Sequence, residues 1–158
     1  MKIKDVMTTS PACCLPFDTT TRPARIMKDR NIGVVPVIET EENRKVIGVV
    51  TDRDLCLGVV AEGLDPSSVQ VKQCMTPKVV ACRPDDDVQK ALESMRDNQV
   101  RRIPVVDQEG VIQGMVSSAD ILQRSDVSSS ETYGTLKKVT EPTEEASKPR
   151  GEIYRQTA

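Results

Sequence analysis

The sequence predicts an α/β protein of the α+β kind, built from two tandem β-α-β-β-α units related by a pseudo-two-fold axis. Three observations carry this. Short motifs occur twice, in the same order and at matched spacing. Each copy places one segment of helical periodicity ahead of two β-branched runs. Aliphatic residues must supply the core, because the chain has only one Phe, two Tyr and no Trp. The copies run over 1–69 and 70–124, and a polar tail fills 125–158.

The repeat is read from three motifs. Val6-Met7-Thr8 returns as Cys74-Met75-Thr76, and Val35-Pro36-Val37 returns as Ile103-Pro104-Val105. Gly48-Val49-Val50-Thr51-x-x-Asp54 returns as Gly114-Met115-Val116-Ser117-x-x-Asp120. The second copy is two residues shorter, and the difference falls in the charged stretch Glu39 to Lys45, where a hairpin loop tolerates insertion.

In the first copy, Ala12 to Leu15 is the opening strand. A helix covers Thr20 to Arg30 after an Asp18 cap, with Pro23 several residues in, where proline removes a helical hydrogen bond and delays or bends the helix. Val34 to Ile38 and Val46 to Val50 form a hairpin, and Thr51 caps a helix running to about Ala61. In the second copy, Val79 to Cys82 is a strand, and Asp86 or Asp87 caps a helix carrying Val88, Ala91, Leu92 and Met95 at helical spacing. Arg102 to Val106 and Val111 to Val116 flank the turn residues Asp107-Gln108-Glu109-Gly110, and Ser117 caps a closing helix over Ser118 to Arg124. Pro36 and Pro104 inside strands point to an edge position or a strand start. One copy alone has a thin core, so the two are expected to pack as one pair through their sheet faces.

The tail contains Ser128-Ser129-Ser130, Pro142, Glu144, Glu145, Lys148 and Pro149 and reads as disordered or locally ordered. A short helix around Thr132 to Val139 and docking through Ile153 and Tyr154 are the ordered alternatives.

Net charge is −2 over 158 residues. Near-balance and few aromatics argue against nucleic-acid binding by charge or base stacking. No secretory signal and no spanning apolar run is visible, so a cytoplasmic protein off the membrane is expected. Five Cys with no C-x-x-C pair and no His lack the usual zinc patterns; they read as reduced, buried apolar residues. Asp85-Asp86-Asp87 reads as caps and helix-start charges rather than a Mg²⁺ site. With no His, no nucleophile–base pair and no Gly-rich phosphate loop, no catalytic residues are assigned.

The paired motifs, above all Val50-Thr51-Asp52-Arg53-Asp54-Leu55 and Val100-Arg101-Arg102-Ile103-Pro104-Val105, resemble those of a CBS-domain pair, also called a Bateman module. The resemblance covers about residues 1 to 124. It implies two sheet-packed units, a homodimer of pairs, and two clefts between repeats that bind AMP, ADP or ATP, and in some members S-adenosylmethionine. By position, one cleft would join Thr51, Arg53 and Asp54 to Thr76, Val79, Ala81, Val100 and Arg101. The other would join Ser117, Asp120 and Arg102 to Thr8, Pro11, Cys13, Ile32 and Gly33.

The chemistry of these residues fits. Thr51 and Ser117 precede helices, where amides and dipole favour a phosphate. Asp54 and Asp120, three residues on, can each accept from two ribose hydroxyls, or they can simply complete a capping box. Arginine suits phosphate, and its placement differs between copies: Arg101 and Arg102 correspond to Gly33 and Val34, whereas Arg53 corresponds to Ala119. The expected function is a nucleotide-binding regulatory sensor acting in trans on a partner protein; the alternative is an interaction scaffold with degenerate clefts.

Overall fold

In chain order the elements are β1 (Thr8–Thr9), α1 (Thr21–Arg30), β2 (Val34–Ile38), β3 (Val46–Thr51), α2 (Asp52–Leu55), α3 (Val88–Asn98), β4 (Arg102–Val106), β5 (Ile112–Ser117) and α4 (Ser118–Arg124). They come from a computed structural model that describes residues 1–124 and, beyond them, Gly134, Lys137 and Lys138. Within the expected helix around Thr132 to Val139 these three residues are helical; the other expectations for the tail lie outside the described residues. The described chain forms two compact units: Ala12–Val79, and Met1–Pro11 together with Val80–Arg124. These compact units are spatial groupings and are not the two sequence repeats. Each Met-Thr motif belongs with the other copy's hairpin.

In the unit Ala12–Val79, β2 and β3 pair antiparallel with Val34 opposite Thr51 and Pro36 opposite Val49. Ala12 to Leu15 is not a strand; it contributes a single parallel bridge from Cys14 to Val37. The Cys14 amide donates to the Pro36 carbonyl (3.1 Å) and the Ile38 amide to the Cys14 carbonyl (3.0 Å). On the far edge, Val49 and Thr76 exchange backbone bonds of 3.0 and 2.8 Å.

The second unit repeats this arrangement. β5 lies between β4 and β1, with Thr8 opposite Met115. Cys82 bridges to Val105, so the expected strand at Val79 to Cys82 is also a single bridge. Pro36 and Pro104 are thereby explained. Each strand has its hairpin partner on one side and one bridge on the other, and each proline accepts that bridge's amide through its carbonyl. The missing N–H falls where no ladder bond is required.

The helices show which local signals prevail. α1 starts at Thr21 with Thr20 at the N-cap and no side-chain cap bond. Pro23 is thus in the first turn, where a missing N–H costs nothing. Asp18 is not the cap: it accepts from the Leu15 amide (2.8 Å) and pairs with Arg22 (3.0 Å). α3 is capped by Asp87, which accepts from Gln89 at 3.0 Å. Both helices end on a left-handed residue, Asn31 and Gln99, which turns the chain into the following strand. After α2 the chain continues as a π-helical turn, Cys56–Val60.

Each unit has its own core. One contains Cys14, Met27, Val35, Val37, Val50, Val59, Val71 and Cys74. The other contains Ile3, Val6, Cys82, Leu92, Met95, Ile103, Val116 and Ile121. Terminal and linker segments enter equivalently: Ile3 and Lys4 donate to Asp86 and Pro84 carbonyls, as Val71 and Lys72 do to Asp18 and Pro16.

Candidate functional site

β3 ends at Thr51, whose extended backbone (φ −109°, ψ 162°) turns directly into α2. A hydroxyl residue at the strand end and an acid three positions on close a reciprocal box. The Asp54 amide donates to Thr51 Oγ1 and the Thr51 amide to Asp54 Oδ2, both at 3.0 Å. The Thr76 hydroxyl donates to the same Oδ2 at 3.4 Å. Asp54 is only 2 % exposed, and a carboxylate is tolerated there because donors surround it.

The second unit builds the same box from Ser117 and Asp120. The Ser117 amide donates to Asp120 Oδ2 (2.9 Å), the Asp120 amide to Ser117 Oγ (3.0 Å), and the Ser117 hydroxyl to Asp120 Oδ2. Asp120 is half-buried. Its box is closed by its own hydroxyl, whereas Asp54 draws one from Thr76.

What flanks the boxes differs. Val34 is the cross-strand partner of Thr51, and Arg102 is that of Ser117. Directly opposed residues share a sheet face, so a cation stands beside one box and a buried valine beside the other. The Asp52 amide donates to the Gly33 carbonyl (3.1 Å) and the Ser118 amide to the Arg101 carbonyl (3.0 Å). Asp52 also accepts the Arg53 amide at 2.8 Å. All three first-turn amides of α2 are therefore engaged, which corrects the expectation of free N–H groups there for a phosphate. Arg53, Arg101 and Arg102 are exposed, and among the described residues none has an ion-pair partner.

The remaining predicted residues divide by unit. Cys13, Ile32, Gly33, Thr76 and Val79 belong with Thr51, Arg53 and Asp54; Thr8, Pro11, Ala81, Val100, Arg101 and Arg102 belong with Ser117 and Asp120. Ile32 and Val100 follow the left-handed caps, and their amides return to Met27 (3.1 Å) and Met95 (3.0 Å). Cys13 is buried, and its sulfur accepts from Arg44 at 3.7 Å. Pro11, Val79 and Ala81 are half-buried and Thr8 is exposed. Sequence reasoning overlooked Asp52; the carboxylate immediately after Thr51, where the second copy has Ser118, is the signal that could have found it.

The acidic run and the cysteines resolve into structural roles. Asp87 is the cap, Asp86 accepts from the Arg83 amide and pairs with Lys90, and Asp85 pairs with Lys4. The Lys4 and Lys90 bonds hold Asp85 and Asp86 below the usual carboxylate range. No group of three His, Cys, Asp or Glu among the described residues is placed to hold a metal. Burial pushes the Cys14 and Cys82 thiols up to about 12 and Cys74 up to about 11. Cys56, expected to be buried, is exposed at the first position of the π-helical turn.

The CBS domain family model matches residues 3–60 and 71–126. The chain is similar to the CBS domain-containing protein YhcV of Bacillus subtilis, 34 % identical over 75 % of this chain and 81 % of that protein. It is similar to the uncharacterized protein YlbB of the same organism, 38 % identical over 76 % of this chain and 79 % of that protein. Among solved structures it resembles the CBS domain pair of protein MJ0100 in complex with 5′-methylthioadenosine and S-adenosyl-L-methionine. That match has a TM-score of 0.69 and 24 % identity, over 78 % of this chain and 94 % of that one. No helix among the described residues is long and apolar enough to cross a membrane.

Proposed function

The chain belongs to the CBS-domain family, and from that premise we propose that it is a regulatory module that binds an adenine nucleotide, AMP, ADP or ATP, and passes the bound state to a partner protein. The observation that carries the reading is the duplicated acid–hydroxyl box, Thr51 with Asp54 and Ser117 with Asp120. A carboxylate held rigid by its own backbone is a preorganised acceptor for a ribose diol. The unpaired guanidinium groups nearby supply the phosphate contact. The CBS domain pair of MJ0100, solved with two adenosine compounds, supports the ligand class.

No catalytic role is needed for this activity: binding shifts a conformational population, and the partner reads the shift. The same resemblance implies a homodimer, and light scattering on the purified chain checks it.

Thermal unfolding with each compound at millimolar concentration tests the ligand class. A ligand at a hundred times its Kd adds about 2.7 kcal/mol to stability and raises the midpoint accordingly. A rise with an adenine nucleotide and none with a pyrimidine nucleotide supports the reading. No rise with any adenosine compound would turn attention to a scaffold role.

A further inference from the structure

The two boxes are built alike but carry opposite charge. Beside Ser117 and Asp120 stand Arg101 and Arg102, with the uncharged Ser118 and Ala119 following the hydroxyl residue. Beside Thr51 and Asp54 stand Gly33 and Val34, and Asp52 and Arg53 follow. Counting the box acids, the first set sums to one positive charge and the second to one negative.

We infer that the boxes select different adenosine compounds. The Ser117–Asp120 box takes one with an anionic 5′ group, a phosphate; the Thr51–Asp54 box takes one whose 5′ group carries no negative charge, a thioether or sulfonium. Arg102 and Asp52 are the specificity-determining residues. The inference rests on the adenosine reading above and names the ligand class of each box.

The geometry runs through the ribose. Its diol and its 5′ carbon are substituents of one five-membered ring, so an acid that grips the diol leaves the 5′ group within reach of the residues flanking the box. Arg102 lies directly across the sheet from Ser117 on the same face. Its guanidinium has no ion-pair partner among the described residues, so a phosphate gains a bidentate contact without displacing a protein carboxylate. At the equivalent place Val34 is 9 % exposed and offers no charge.

Asp52 acts in the opposite sense. Its carboxylate holds the Arg53 amide at 2.8 Å, and its Oδ2 would lie only 2.9 Å from a Cβ on Gly33. It thus fills space beside the box with negative charge, which repels a phosphate and suits a neutral or cationic substituent.

Equilibrium dialysis of the full chain with AMP and 5′-methylthioadenosine, each alone and both together, tests this. Arg102→Val and Asp52→Ser place each copy's residue in the other and leave both boxes intact; Arg102→Lys keeps the charge without the fork. The wild type is expected to bind each compound at its own site, neither displacing the other. Arg102→Val should weaken AMP about tenfold or more, Arg102→Lys should recover part of that loss, and Asp52→Ser should add a second AMP site. Mutual displacement, two equal AMP sites, or unchanged AMP affinity in Arg102→Val would overturn the inference while leaving the adenosine reading standing. Binding of neither compound to the wild type would overturn both.

Discussion

Gly114 packs so closely on β1 that a Cβ added to it would stand 2.7 Å from the carbonyl oxygen of Thr8. Gly48 stands in the same relation to Thr76, at 2.8 Å. The opposing atoms are backbone and cannot rotate away, so alanine at either position must push the Met-Thr segment off its hairpin. Gly48→Ala and Gly114→Ala are each expected to cost about 1–3 kcal/mol, measured as a shift in urea midpoint. Variants as stable as the wild type would show that this contact does not hold the segments.

Thr51 and Ser117 cap their helices through bonds the structure gives explicitly. Replacing either with alanine should cost about 1 kcal/mol and lower the thermal midpoint by roughly 2–4 °C. Thr51→Ser should be nearly neutral, because the hydroxyl is retained. Equal losses in Thr51→Ser and Thr51→Ala would point to lost methyl packing instead.

The buried thiols make stability depend on alkaline pH. Cys14 and Cys82 rise from an ordinary value of 9.0 to about 12, and Cys74 to about 11, because burial disfavours the thiolate. The folded state therefore keeps protons that the unfolded state releases. Their contribution is fully present below pH 9 and is lost as pH rises from there through the folded values. Urea midpoints should fall steeply above pH 9, and less so in Cys14→Ala. A midpoint flat to pH 11 would contradict this.

The same burial predicts how the cysteines react. Cys56 is exposed, and Cys13, Cys14, Cys74 and Cys82 are buried. Ellman's reagent should find one fast thiol per native chain and five in denaturant, and Cys56→Ser should remove the fast one. A fast phase surviving Cys56→Ser would place a second thiol at the surface.

Much of this was legible because it repeats. The two hairpins, α3, the caps at Thr51, Ser117 and Asp87, and the pairing of Thr51 with Asp54 follow from turn chemistry and periodicity, each read twice. Other features depend on long-range partners that local pattern does not record. Ala12 to Leu15 looks like a strand but finds one bridging partner through Cys14. Val6-Met7-Thr8 precedes one hairpin in sequence and pairs with the other. Asp18 prefers Arg22 and the Leu15 amide to a helix end. Asp52 was overlooked because attention to motif positions passes over the variable residue between them, which is where the copies diverge in charge.

The most direct test is calorimetric titration of the full chain with AMP, ADP, ATP and S-adenosylmethionine, with Asp54→Ala and Asp120→Ala alongside. Saturable binding of at least one compound, abolished in one of the two variants while that variant stays folded, is the predicted result and names the box that holds that compound. Absence of binding by all four at millimolar concentration would contradict the account.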